Sequence, residues 1–223
     1  MASILNLETS TTNCSVSVAR AGNLLFLKEH NSANYSHAEE LHNFIKEVLD
    51  ATSLTFPDLD AVAVSKGPGS YTGLRIGVSA AKGLCFSLDL PLISVPTLEN
   101  MAHQKKTDDF DFVIPVLDAR RMEVYSAVFD KNFDRLRETR AEIITENSFR
   151  EYADKGKVLV LGSGALKCRE TLSYPNFEFD TEIVPSAREM SRLSHLKYIR
   201  QDVEDMAYFE PYYLKDFILQ GKR

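Results

Sequence analysis

SKGPGSYTGLRIGVSAAKGLCFSL, residues 65–88, joins the end of an apolar strand to a long helix, and the rest of the chain can be interpreted outward from it. Three glycines, Gly73, Gly77 and Gly83, fall inside this helix, where each costs about 1 kcal/mol relative to alanine. Either the helix packs closely on the protein's own sheet, or it presents a flat surface to a partner helix. Gly73 and Gly77 lie four residues apart on one helical stripe, which fits both alternatives.

Short strands precede and follow this segment. Apolar and alternating patterns predict strands at 3–7, 14–19, 24–30, 61–65 and 92–95. A capping box from Ser36 to Glu39 begins an amphipathic helix at 37–51, and a short helix is predicted at 97–102. The order is therefore βββ-α-β-α-β-α up to a polar stretch at 105–109, which marks a boundary.

The same order of elements recurs after this boundary. Strands are predicted at 113–119, 123–130, 140–145 and 158–162, and helices near 146–154, 164–172 and 187–200. We therefore expect an α/β fold with two lobes, 1–105 and 106–223, in which the last residues either return to the first lobe or form a tail. Two βββαβα units are typical of the duplicated ribonuclease-H-like lobes of the actin, sugar-kinase and Hsp70 (ASKHA) superfamily, here with a truncated second lobe.

The charge balance limits what the chain can bind alone. Of 223 residues, 44% are apolar and 26% charged, as in an ordinary folded domain, and the net charge is −6. Residues 1–105 carry 7 basic and 10 acidic side chains, and residues 106–223 carry 19 and 22, so each part contributes −3. A protein that binds nucleic acid by itself normally has a basic footprint. The charge balance therefore predicts that this chain alone does not bind nucleic acid tightly.

The sequence also predicts the compartment. No apolar run approaches the ~20 residues that cross a bilayer, and the N-terminus lacks the basic and apolar regions of an export signal. Cys14, Cys85 and Cys168 show no CxxC spacing, which favours reduced thiols over disulfides or zinc. We expect a cytoplasmic protein without membrane contact.

Four segments closely resemble the signature of the TsaB family, also called YeaZ. The longest runs from Ser65 to Leu84 and contains GPGSYTGLRIG. The others follow in the same order as in the family: DARRMEVY at 118–125, LGSGA at 161–165 and PYYL at 211–214. The resemblance covers nearly the whole chain.

The resemblance implies a two-lobed ASKHA fold and a part in making threonylcarbamoyladenosine beside the anticodon of tRNA. TsaB-like proteins are non-catalytic, pair with the transferase TsaD and work with the ATPase TsaE, so we expect no catalytic residues here. We also expect a homodimer when TsaD is absent, and we expect tRNA to be bound only through the complex. In TsaD, metal-binding histidines follow the shared GPG segment, but the matching stretch at 94–100 contains none, so a catalytic metal is not expected.

We hypothesise that the helices at 37–51 and 72–88 dock the TsaD homologue. The residues expected at this contact are Leu41, Ile45, Gly69, Thr72, Gly73, Arg75, Ile76, Gly77 and Ala80. The alternative is that the glycines pack against the protein's own sheet.

A weak nucleotide site between the lobes is a second candidate. Its possible members are Thr9, Ser10, Thr11, Asp118, Gly162 and Gly164. The hairpin at 8–13 lacks the aspartate that organises Mg²⁺ in catalytic relatives, and Arg120 and Arg121 replace small residues beside the phosphate. We therefore expect no tightly bound cofactor, with ATP or ADP and Mg²⁺ bound only weakly or at an interface with a partner. An ATP-dependent phosphotransferase or ATPase is the rival function.

Two histidines and one serine invite other chemistry. His37 and His42 lie five residues apart, about 140° around a helix, unlike the i, i+4 pair of a zinc site. A capped, partly buried His37 is the better interpretation. Ser163 stands in GSG rather than G-x-S-x-G, so no protease constellation is predicted.

Overall fold

The computed structural model describes residues 1–32, 37–105 and 108–214. The first lobe is a five-stranded sheet in the order β3-β2-β1-β4-β5. Its strands are β1 (Ser3–Glu8), β2 (Asn13–Arg20), β3 (Asn23–Asn31), β4 (Ala61–Gly67) and β5 (Leu92–Pro96). β1 pairs antiparallel with β2 and parallel with β4, and it is buried along its whole length because it lies at the centre of the sheet.

Three helices follow these strands: α1 (His37–Thr52), α2 (Tyr71–Leu88) and α3 (Thr97–Ala102). α1 and α2 pack side by side on one face of the first sheet and form a common core with it. Ser70 caps α2, because its Oγ accepts the Gly73 N–H at 3.2 Å. The cap predicted for α1, Ser36, lies outside the described residues.

The second lobe repeats the first. Its sheet has the order β10-β9-β6-β7-β8. Read from the β8 edge, with the strands counted along the lobe, this is again the order three-two-one-four-five. The strands are β6 (Phe112–Asp118), β7 (Glu123–Asp130), β8 (Arg135–Ile143), β9 (Val158–Leu161) and β10 (Phe177–Asp180). The helices are α4 (Arg150–Ala153), α5 (Ala165–Thr171) and α6 (Ala187–Ile199). The prediction of an α/β fold with two ribonuclease-H-like lobes is confirmed.

The second lobe departs from the predicted elements at three places. β8 begins at Arg135, five residues before the predicted start. The prediction missed its first half because those residues are charged and lie on an exposed edge of the sheet, where no apolar pattern is needed. The helix expected at 146–154 is the single turn α4. The short edge strand β10 was not predicted, since four residues carry too little pattern.

The two lobes exchange one helix each across the predicted division at 105/106. α6 does not complete the second lobe but covers the free face of the first sheet, where Met190 and Leu193 pack on Ile4 and Ile93. Conversely, α3 packs against the second sheet. An amphipathic pattern shows that a helix has one buried face, but it cannot show which sheet buries that face.

Residues 202–213, which we name the strap, run from α6 back along the first lobe. The Glu204 N–H donates to the Leu92 carbonyl at 2.8 Å, and the Tyr212 N–H donates to the Lys66 carbonyl at 2.7 Å. Phe209 is buried in the first core. The strap therefore protects the outer edge of β5 and ends beside α2. None of the helices in the described ranges is long and apolar enough to cross a membrane.

Candidate partner-binding face and the two hairpins

The glycines at 69, 73 and 77 face the protein's own first hairpin. A Cβ added at Gly73 would overlap the Thr9 carbonyl oxygen, one at Gly77 would overlap Thr9 Oγ1, and one at Gly69 would overlap the Ser10 carbonyl oxygen. Thr9 Oγ1 also donates to the Gly73 carbonyl at 2.8 Å. The prediction that Gly69, Gly73 and Gly77 contact a partner is therefore wrong, because they let α2 lie directly on the β1–β2 turn.

Leu41 and Ile45 are wrong as partner contacts for a related reason. Their side chains are 0% and 2% exposed, and with Phe44 and Val48 they form the stripe that α1 buries in the first core. A helix with one apolar stripe cannot offer it to both a sheet and a partner.

The opposite face of α2 is open. Thr72, Ile76, Ser79, Gly83 and Phe86 fall within about 80° of the helix circumference at 100° per residue, and we name them the outer stripe. Phe86 is 79% exposed, and a Cβ at Gly83 would meet no atom within 4 Å. Ile76 is half-buried. The structure thus presents an apolar stripe with a gap at its centre.

Of the predicted contact residues, four lie on or beside this stripe. Thr72 and Arg75 are exposed, whereas Ile76 and Ala80 are half-buried against the first core. Phe86 and Gly83 were not among the predicted contacts. The signal for them was available, because Gly83 lies seven residues after Ile76 and Phe86 lies seven after Ser79, and seven residues nearly complete two helical turns.

A cation–aromatic cluster ends the stripe near the N-terminus of α2. The Arg75 Cζ lies 4.1 Å from the centre of the Tyr71 ring, and its Nε donates to the Tyr213 hydroxyl at 3.3 Å. The two tyrosine rings are 4.9 Å apart. Because Tyr213 ends the strap, the strap and α2 together form this part of the surface. A groove of about 520 Å³ lined by Lys66 and the strap opens beside it.

The first hairpin has few groups left for a phosphate. The Thr9 hydroxyl is bonded to Gly73, and the Ser10 N–H donates to Glu8 Oε1 at 2.7 Å. The Thr11 carbonyl accepts from His37 Nε2 at 2.6 Å. Glu8 is fully buried, and burial raises the pKa of its carboxyl above the ordinary value despite the opposing hydrogen bonds. A buried carboxyl at this turn disfavours an anion there.

The second hairpin is closed in the same way. Asp118 Oδ1 accepts from Lys167 Nζ at 2.8 Å and from the Arg120 N–H at 2.6 Å. The Gly162 N–H donates to Asp180 and the Gly164 N–H to Val116, both carbonyl oxygens of the chain itself. These backbone donors and this carboxylate are engaged within the chain, whereas Ser10 Oγ has no hydrogen-bond partner among the described residues. The weak nucleotide site at the six residues stays a prediction.

The two histidines of α1 do not form a metal site. His37 is buried and bonded to the hairpin, as expected from its place on the apolar stripe, while His42 is exposed. Within residues 1–32, 37–105 and 108–214, no three His, Cys, Asp or Glu side chains are grouped to hold a metal ion.

Comparison with known proteins adds what geometry alone does not give. Residues 31–216 match the family model described as TsaD, tRNA N6-adenosine threonylcarbamoyltransferase. The tRNA threonylcarbamoyladenosine biosynthesis protein TsaB of Haemophilus influenzae is 29% identical over 230 residues, covering 98% of this chain and 96% of that protein. The TsaB of Bacillus subtilis is 34% identical over 131 residues, 56% of this chain and 54% of its own.

Two solved structures from Pseudomonas aeruginosa share the fold. A protein described as similar to peptidase YEAZ superimposes with a TM-score of 0.86 at 24% identity, over 96% of this chain and all of the other. YeaZ itself gives 0.80 at 23% identity over the same shares. The match to the family model extends through most of both lobes, and a TsaB protein aligns along almost the whole chain, so this chain belongs to the TsaB (YeaZ) family.

Proposed function

We propose that this protein takes part in tRNA threonylcarbamoyladenosine biosynthesis as a non-catalytic subunit that docks a TsaD homologue through the outer stripe of α2. The observation that carries the proposal is Phe86, which is 79% exposed. It lies on α2, a regular helix whose other face packs in the core of the first lobe. The names of the TsaB relatives support the process. The engaged hairpins support the absence of chemistry in this chain.

The outer stripe suits a second helix. Helices pack with axes about 8–10 Å apart, and the shorter end of this range needs a small residue at the crossing. Gly83 supplies that gap between Ser79 and Phe86. Burying a phenylalanine contributes roughly 1.5–3 kcal/mol, which is enough to make Phe86 a dominant contact. The TsaD homologue is the proposed partner because its family model matches this chain and related lobes can pair face to face.

The proposal also covers the assembly. We infer that TsaE joins the pair, that the free protein pairs with itself through the same stripe, and that nucleotide, where present, belongs to an interface with the partner. A cytoplasmic location fits three buried cysteines that carry free thiols.

Size exclusion of co-expressed proteins tests the docking. Phe86→Asp should abolish co-elution with the TsaD homologue while the melting temperature stays near that of the wild type, because the side chain touches solvent. Ile143→Asp is the matched control, since Ile143 is 67% exposed but lies on β8 of the second lobe. It should co-elute normally. Gly83→Leu should fold and yet elute alone, because its side chain fills the gap.

The outcome that contradicts the proposal is equally definite. If Phe86→Asp and Gly83→Leu both co-elute as well as the wild type, α2 does not form the interface. If only the Ile143→Asp variant fails to co-elute, the second lobe forms the interface.

A further inference from the structure

The turn between β6 and β7 contains two adjacent arginines in an unfavourable backbone conformation. Arg120 has φ +71° and Arg121 has φ +52°. Consecutive left-handed residues in a hairpin turn favour Asn-Gly, because a Cβ is strained in that conformation. Unlike asparagine, arginine has no short polar side chain that offsets this strain by a local hydrogen bond. We therefore expect the two arginine side chains to have a binding role.

The stem of this turn is held firmly. Lys167 Nζ donates to Asp118 Oδ1 at 2.8 Å, to the Arg121 carbonyl at 2.6 Å and to the Glu123 carbonyl at 3.1 Å. The Ala119 N–H and the Glu123 carbonyl pair at 3.0 Å. Lys167 is nearly buried and its charge is matched by Asp118. The two arginines are therefore presented by a rigid and locally neutral base.

The arginine side chains themselves are unengaged. Both residues are exposed, and through the described part of the chain neither guanidinium makes an ion pair or a hydrogen bond. Met122, 45% exposed, continues the same tip. The result is a local charge of +2 on a protein with a net charge of −6.

We propose that Arg120 and Arg121 form an RNA-phosphate contact, by which the second lobe binds the backbone of the tRNA substrate once the complex is assembled. This inference rests on the proposed function. Guanidinium groups bind phosphate through paired, charge-assisted hydrogen bonds, and a preorganised fork loses less entropy than a mobile one. The exposed Met122 side chain lies beside the pair and offers apolar surface to a ribose.

RNA is favoured over an acidic protein surface for two reasons. The relatives are named for a tRNA modification, so a polyanion must be bound by the assembly. The arginines also lie in the β6–β7 turn of the second lobe, whereas the outer stripe that suits a protein partner lies on α2 of the first lobe. The net negative charge explains why the contact would act only beside a partner that supplies further binding.

The test is the salt dependence of tRNA binding by the complex of this chain with its TsaD homologue, using an unmodified tRNA transcript as the probe. Arg120→Asn/Arg121→Gly removes the charges but suits the turn, so the variant should melt at or above the wild-type temperature. Each phosphate contact contributes about 0.9 to the slope of log K against log salt. We expect the slope to fall by about 1–2 and the affinity to fall roughly tenfold.

Two controls isolate the effect. Arg120→Lys/Arg121→Lys keeps the charge and should keep most of the slope. Arg150→Asn/Lys155→Asn removes the same charge from exposed positions elsewhere on the second lobe and should leave the slope unchanged.

Each alternative outcome overturns a different statement. An unchanged slope in the Asn-Gly variant overturns the phosphate contact. Loss of co-elution with TsaD in that variant, with wild-type stability, would mean that the arginines bind the protein partner instead. Failure of the wild-type chain to form the complex would overturn the proposed function itself.

Discussion

Replacing Gly77 or Gly83 by alanine should change the stability of the protein in opposite directions, although both glycines lie inside α2. A Cβ at Gly77 overlaps Thr9 Oγ1 and comes within 3.4 Å of Thr9 Cβ, whereas a Cβ at Gly83 meets nothing within 4 Å. The gain in helix propensity is about 1 kcal/mol at either site.

The packing cost decides the sign at Gly77. Overpacking a close contact costs about 1–3 kcal/mol, and pushing Thr9 away also weakens its hydrogen bond to the Gly73 carbonyl, worth about 1 kcal/mol. After the helix gain is subtracted, Gly77→Ala should destabilise by about 1–3 kcal/mol. In a protein of this size that lowers the melting temperature by roughly 2–12 °C. Gly83→Ala should raise it by roughly 2–4 °C.

Thermal and urea unfolding of the two single variants measure the difference. The double variant Gly77→Ala/Thr9→Ala provides the control, because removing Oγ1 removes the overlap. It should be more stable than the sum of the single changes by about 1 kcal/mol or more. A Gly77→Ala protein as stable as the wild type, or a coupling near zero, would refute the close packing of α2 on the first hairpin.

Two further predictions concern ionisable groups. Burial is the main cause that raises the pKa of Glu189, in the first turn of α6, from its ordinary value of 4.5 to about 7. The folded state therefore holds this proton more tightly than the unfolded state, so the free energy of unfolding should fall as pH rises from about 4.5 to about 7. In urea unfolding, Glu189→Gln should show a smaller change in this free energy across the same pH window. A change identical to that of the wild type would contradict this. Lys167→Met removes three hydrogen bonds and the ion pair with Asp118, so the Ala119 and Glu123 amides should exchange hydrogen faster while those of β9 do not. Equal exchange at all sites would show that Lys167 does not hold the turn.

Much of the architecture could be predicted from the sequence because the elements are strongly patterned. β7 and α3 have the predicted bounds, and the repeated order of strands gives the same sheet twice. The exchange of α3 and α6 between lobes could not be predicted, since periodicity describes one element and not its neighbour. β10 is shorter than the window that a strand pattern needs.

The proposed partner-binding stripe lies on the helix that the sequence singled out, but on the face opposite to its buried glycines. The glycine cost correctly indicated a close approach, and spacing correctly placed Gly73 and Gly77 on one stripe. What they approach is Thr9, distant by 64 and 68 positions in the sequence, and no local pattern reports such a contact. The outer stripe carries Phe86, whose exposure depends on how α2 is rotated against the sheet.

The exchange of helices also bears on how the chain is made. The first sheet is synthesised early, yet one of its faces is covered by α6, which ends at Ile199. Ile4, Ile93 and Val95 therefore cannot reach their final burial until α6 has left the ribosome. A nascent chain arrested after the first lobe would expose an apolar β-surface, which is the kind of segment that chaperones bind and that associates between neighbouring ribosomes. The first sheet therefore completes its burial only after the second sheet has been synthesised.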